Sequence, residues 1–180
     1  STSSGSTCIL ANQNLVTKIY FPREVLPLAI VTSNFINMLY CFVIVLGVVI
    51  LCSSKINFIA WIYLPLIAVL EYILVLGLTF FFSSITVYLR DLQHILGVVT
   101  LGWQFLTPVM YSIDMVPQGY LTFFNLNPMT PIITAYRDIL YYGKIPHIET
   151  LCSAFIFSII TLILGFVVFN RLKRRFAEEL

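Results

Sequence analysis

Of the 180 residues, 59% are apolar and only 10% charged, with a formal net charge of +2, whereas an ordinary soluble domain carries about 25% charged residues. That composition excludes a soluble globule. The apolar residues fall in runs long enough for the roughly 20 helical residues that cross about 30 Å of hydrocarbon, and they do not alternate every second residue as barrel strands do. The class is therefore all-α, a polytopic transmembrane helical bundle.

The chain opens at Ser1 with STSSGST, which has neither the basic residues nor the apolar core of a signal peptide. It reads as a piece of a longer protein. The stretch 14–28, NLVTKIYFPREVLPL, sets Lys18, Arg23 and Glu24 among apolar residues and leads into a long uncharged run. A short amphipathic element there meets whatever lies outside the bilayer. Hydropathy and helix breakers then place four spans, at Leu28 to Cys52, Phe58 to Ile85, Ile95 to Ser112 and Leu151 to Phe169. SSKIN at 53–57 and VYLRDLQH at 87–94 are tight connections, and the last two spans are separated by the long segment 113–150.

Lysine and arginine are retained on the cytoplasmic side, so their distribution gives the orientation. With the opening stretch inside, that side holds Lys18, Arg23, Arg90, Arg171, Lys173, Arg174 and Arg175, and the other holds Lys55, Arg137 and Lys144. The C-terminus is then cytoplasmic. The basic tail RLKRRF at 171–176 reads as a stop-transfer anchor against anionic lipid headgroups, with no support for a nucleic-acid partner.

The outer segment and its approach contain Pro108, Pro117, Pro128, Pro131 and Pro146, yet 120–127 and 132–142 are too apolar for a solvated loop. Two short helices fit, either re-entrant or lying in the interface, with NPMTP at 127–131 as the turn between them. Re-entry is the preferred form, because irregular backbone at membrane depth has to be covered by protein or line a wet cavity.

Catalytic motifs are missing. No GxxxxGKS/T phosphate loop, HExxH, GxSxG or paired acidic motif occurs, and the cysteines and histidines lack metal-ligand spacing. Glu71, in AVLEYIL near the middle of the second span, is the exception, since an ionised carboxylate there costs several kcal/mol unless paired or wetted. It either lines a substrate path or is paired structurally, ionised or protonated, with a neighbouring helix. Aromatic residues such as Tyr72, Trp103 and Tyr111 are candidates to line the same path, because their faces stack on sugar rings.

Four motifs taken together resemble the permease subunits of the ABC-2 type family that export polysaccharides and polyol phosphates, such as O-antigen, capsule and teichoic acid exporters. They are KIYFPREVLPLA at 18–29, VYLRDL at 87–92, FLTPVMYS at 105–112 and LNPMTPIITAYRDILYYG at 126–143. The resemblance implies six spans in the complete permease, of which this chain holds the last four, with Ser1 to Leu10 as the tail of the family's second span. It implies a homodimer in the bacterial plasma membrane, paired with two copies of an ABC ATPase that binds ATP and Mg and drives a lipid-linked glycan polymer outward. The chain itself would bind no cofactor or metal and would not be an enzyme.

By the same resemblance, 14–27 is the cytoplasmic coupling helix, with Lys18, Tyr20, Phe21, Pro22, Arg23 and Glu24 contacting the ATPase and Arg90 and Asp91 close by. The outer exit is shaped by Asn127, Pro128, Pro131, Tyr136 and Arg137, and 170–180 is the cytoplasmic tail. Rival readings are an ABC-2 permease for a drug or small lipid, a membrane enzyme on lipid-linked sugars with Glu71 or Asp91 as base, and a scaffold without transport.

Overall fold

The computed structural model describes residues 2–11, 23–52, 57–89, 91–109, 111, 121–173 and 176. The described residues form helices α1 (Thr2–Ser6), α2 (Cys8–Ala11), α3 (Val25–Cys52), α4 (Phe58–Trp61), α5 (Leu64–Tyr88), α6 (Leu92–Leu106), α7 (Leu121–Leu126), α8 (Met129–Leu140) and α9 (Ile148–Leu172), and no strand occurs among them.

Three segments are long and apolar enough to cross a membrane: Val25–Leu51, Phe58–Tyr88 and Ile148–Leu172. They match the first, second and fourth expected spans. The first begins three residues early because Pro27 lies in the first turn of α3, where a missing N–H costs nothing. The second is broken at Ile62–Tyr63 between α4 and α5. Pro65 has no N–H to offer the Trp61 carbonyl, and the chain steps through tighter turns, Ile62 N to Ile59 O and Tyr63 N to Ala60 O, before Ile67 N resumes the ladder on Tyr63 O. Asn57 starts α4 by accepting the Ile59 amide on its side chain at 3.1 Å.

The third expected span is corrected. In place of a span over 95–112, α6 ends at Leu106 after 15 residues, about 22 Å at the helical rise and short of the length a bilayer needs. Pro108 stops it, since proline disfavours the helical conformation at Thr107 and donates nothing itself. The described residues thus hold three full spans and not four.

The chain divides into two compact units, Ser1–Met38 with Tyr72–Thr100 and Ile159–Leu180, and Leu39–Glu71 with Leu101–Ser158. In the first, Cys8, Ile9, Val31, Leu76, Phe80, Val87, Phe169 and Phe176 form a buried cluster, with Phe80 edge-on to Phe169 at 5.1 Å. Helices α5 and α9 meet backbone to backbone there. A Cβ on Gly165 would stand 2.0 Å from the Gly77 carbonyl oxygen, and one on Gly77 would stand 2.6 Å from the Thr161 carbonyl. Glycine at both positions is what lets the helices touch, as small residues do between membrane helices. The second unit buries Ala60, Ile67, Leu70, Ile132, Ala135, Ile139 and Ala154.

The two outer helices expected from sequence are α7 and α8, but the turn between them is only Asn127–Pro128. Met129–Pro131 already belongs to α8, where Pro131 occupies the first turn. Substituting Gly165→Ala is expected to lower the thermal stability of the purified protein, at a cost of about 1–3 kcal/mol for forcing the backbones apart. Gly47→Ala, which meets nothing within 4 Å, should leave it unchanged or raise it slightly; thermal unfolding followed by size-exclusion chromatography separates the two.

Candidate functional site

Two clusters of hydrogen-bonded polar side chains stand out among the described residues, one in each unit. In the first unit, Arg23 and Glu24 stand immediately before α3, and both engage the end of α9. The Arg23 guanidinium donates to the Lys173 carbonyl and stands 5.9 Å from the centroid of the Phe176 ring. Lys173 Nζ pairs with Glu24 Oε1. The Tyr88 hydroxyl at the end of α5 donates to the Leu172 carbonyl at 3.0 Å, and its ring lies 6.3 Å from that of Phe176.

The cause is the end of a helix. The last four carbonyls of α9 have no amide partner within it, and its C-terminus carries partial negative charge that favours a cation nearby. Tyr88 supplies a donor to one of these carbonyls, that of Leu172, and Arg23 to the carbonyl of Lys173 just past the helix. The ion pair itself is about a third exposed on both sides, 34% for Lys173 and 37% for Glu24, so it belongs with surface pairs worth about 0.2–1 kcal/mol. Asp91 is exposed at the start of α6, where its carbonyl accepts the His94 and Ile95 amides. Lys18, Tyr20, Phe21, Pro22 and Arg90 lie outside the described residues.

The second unit is built around Asn127, which is buried. Its Oδ1 accepts from Trp103 Nε1 at 2.9 Å and from the Met129 amide at 3.0 Å, starting α8. Its Nδ2 donates to Thr107 Oγ1 at 3.0 Å and to the Leu106 carbonyl at 3.5 Å. Two donors and two lone pairs are the whole capacity of an asparagine side chain, and all are used. Arg137 on α8 answers the backbone that Pro108 disrupts. It donates to the carbonyls of Tyr111 at 2.7 Å, Pro108 at 2.9 Å and Val109 at 3.1 Å.

Glu71 has a partner on α8 as well, since the Tyr136 hydroxyl donates to its Oε2 at 2.9 Å, with Phe42 packed on the Tyr136 ring at 5.3 Å. Burial first, and then the neighbouring carboxylate, pushes the Tyr136 phenol above its ordinary range, so it keeps its proton and donates. Beside Glu71, the Ser158 hydroxyl donates to the Leu70 carbonyl at 2.9 Å. Gly143, with φ of 60°, turns the chain after α8 and lets the Lys144 amide reach the Asp138 carbonyl.

Of the residues expected to share a path, Glu71, Trp103 and Tyr111 lie in the second unit and Tyr72 in the first. Tyr72 bonds Thr32 across 2.9 Å and packs on Phe35, and the Tyr111 hydroxyl donates to the Phe105 carbonyl. The exit residues Asn127, Pro128, Pro131, Tyr136 and Arg137 are brought together on α8 and the turn before it. Sequence reasoning missed Thr107, Lys173 and Phe176. For the last two, an aromatic residue inside a basic cluster was the available signal. Among the described residues no group of three or more metal-ligating side chains occurs.

A profile of the ABC-2 type transporter family matches residues 6–141. The chain is 30% identical over 172 residues to a protein named O-antigen export system permease protein RfbA from Klebsiella pneumoniae, covering 95% of this chain and 66% of that protein. A second protein of that name from the same organism is 27% identical over the same shares, and one from Myxococcus xanthus is 28% identical over 184 residues, covering all of this chain and 70% of its own length. The chain spans about two thirds of the length of the curated relatives it matches. With apolar segments of spanning length throughout and a profile match over residues 6–141, the chain belongs to the ABC-2 type transporter family.

Proposed function

We propose that this chain is part of the membrane permease of an ABC exporter that moves a lipid-linked polysaccharide or polyol phosphate polymer across the bacterial plasma membrane. The observation that carries the proposal is its likeness, over 95% of its length, to proteins named as O-antigen export permeases. A separate ATPase subunit, in two copies on a permease homodimer, binds ATP and Mg and supplies the work. The C-terminus lies in the cytoplasm, as the distribution of lysine and arginine supports.

On this reading the stretch 14–27 docks on the ATPase, and Arg23 and Glu24 join it to α3. α7 and α8 shape the exit on the far side, where Asn127 and Arg137 hold the interrupted backbone in one arrangement. Glu71 on this view faces protein, with Tyr136 offsetting the cost of a carboxylate at membrane depth.

The test is to supply the full-length permease with its ATPase to a strain whose own permease gene is deleted and to stain intact cells for the polymer. Polymer on the surface is expected only when both subunits are present, and surface polymer that persists without the permease would overturn the reading. Charge reversal, Arg23→Glu or Glu24→Lys, should abolish surface polymer while the permease accumulates in the membrane at its normal level, as read by immunoblot of membrane fractions. At the exit, Glu71→Leu leaves the Tyr136 hydroxyl without its acceptor, at a cost of about 1–3 kcal/mol. Glu71→Gln keeps an acceptor there and should retain most of the stability and export. The Glu71→Leu/Tyr136→Phe double variant should lose less than the sum of the two single changes.

A further inference from the structure

A stop-transfer anchor needs only positive charge near the headgroups. The tail of this chain has more than that. Leu172 and Lys173 offer their carbonyls to Tyr88 and Arg23, the Lys173 ammonium pairs with Glu24, and Phe176 is fully buried in the core of the first unit. Phe176 lies 5.8 Å from Phe169, 6.3 Å from Tyr88 and 5.9 Å from the Arg23 guanidinium. Contacts of four different chemistries thus converge from one five-residue stretch on the start of α3 and the end of α5.

We infer that Lys173 and Phe176 are positioning residues that lock the junction at Arg23–Glu24 to the C-terminal end of α9, so that a movement imposed at the junction reaches α3 and α9 together. The inference rests on the export reading above and assigns Glu24 a partner within its own chain. Coupling of this kind requires the two spans to respond as one body to what happens at the junction. The lock suits that requirement. Its ion pair is about a third exposed and adds little to stability, while the cation over the Phe176 ring and the two carbonyl bonds fix direction as well as distance.

The lock and direct docking of Glu24 on the ATPase differ in what a charge swap does. The full-length permease is expressed with its ATPase in the deletion strain, and two quantities are read: surface polymer per membrane-inserted permease, and ATPase co-purified with the permease. Glu24→Lys should again abolish surface polymer, and Lys173→Glu should lower it about fivefold or more, the lower edge of typical coupling effects, with the ATPase still co-purifying in both. The swap Glu24→Lys/Lys173→Glu should restore export to within about twofold of wild type, since it rebuilds the pair with its signs exchanged. Phe176→Leu, which keeps an apolar side chain, should be milder than Phe176→Ser.

A swap no better than Glu24→Lys alone, with the ATPase lost from the purified complex, would overturn the lock and leave the export reading intact, placing Glu24's partner on the other subunit. Wild-type export in both single charge variants would also overturn it. If the wild-type chain with its ATPase delivers no polymer at all, the export reading falls and the inference falls with it.

Discussion

A helix that stops inside an apolar layer leaves up to four carbonyls without amide partners, and lipid offers no water to take their place. This constraint accounts for the position of several of the polar side chains of the two clusters. Where Pro108 ends α6, Asn127 and the Tyr111 hydroxyl donate to the α6 carbonyls of Leu106 and Phe105, and Arg137 donates to the carbonyls of Pro108, Val109 and Tyr111 just past the helix. At the end of α9, where the ion pair beside it is part-exposed, Tyr88 takes the Leu172 carbonyl and Arg23 that of Lys173 just past it. An arginine serves at both places because its planar fork presents several donors at once and never loses its charge.

The apolar remainder is organised by closeness of approach. Without water to drive helices together, membrane helices associate by contact and by hydrogen bonds across them. Gly77 and Gly165 remove the side chains that would hold α5 and α9 apart, and the Ser158 hydroxyl bonds the Leu70 carbonyl from a neighbouring turn of α9 to α5. On the long, little-buried α3, Gly47 meets nothing within 4 Å. Tyr40, Val43, Ile44 and Leu51 stand more than half exposed along it, which suits a helix facing lipid or another subunit.

Much of the fold is legible in the sequence because a bilayer reduces it to the length of apolar runs. The runs gave α3, α4 with α5, and α9 to within a few residues, and Pro128 gave the break between α7 and α8, although Pro131 lies inside α8 and not in the turn. Hydropathy fails at α6 for a plain reason. The uncharged run continues past Thr107 to Ser112, and a scale that averages transfer energies does not register that Pro108 has no amide. The site was legible in part. Glu71 announces its cost from any hydropathy plot, but its partner Tyr136 lies 65 residues away, and nothing local to either residue encodes the pairing. Lys173 was hidden by its neighbours, since one member of a basic cluster looks like the next until Glu24 singles it out.

The same physics joins the topology rule to the end of α9. Positive residues kept on one side of a membrane are usually treated as a sorting signal, read during insertion and idle afterwards. On the proposed orientation Arg23 and Lys173 are among those residues, yet one donates to the carbonyl just past α9 and the other holds Glu24 at the threshold of α3. Helix dipoles explain why the two roles coincide. A span that ends on the positive side presents its negative C-terminus there, so the charges that fix orientation are already where a helix end most needs donors. Spans that begin on that side have the opposite polarity and accept a carboxylate instead. Glu24, just before α3, is placed for that role, and its pair with Lys173 ties the start of α3 to the end of α9.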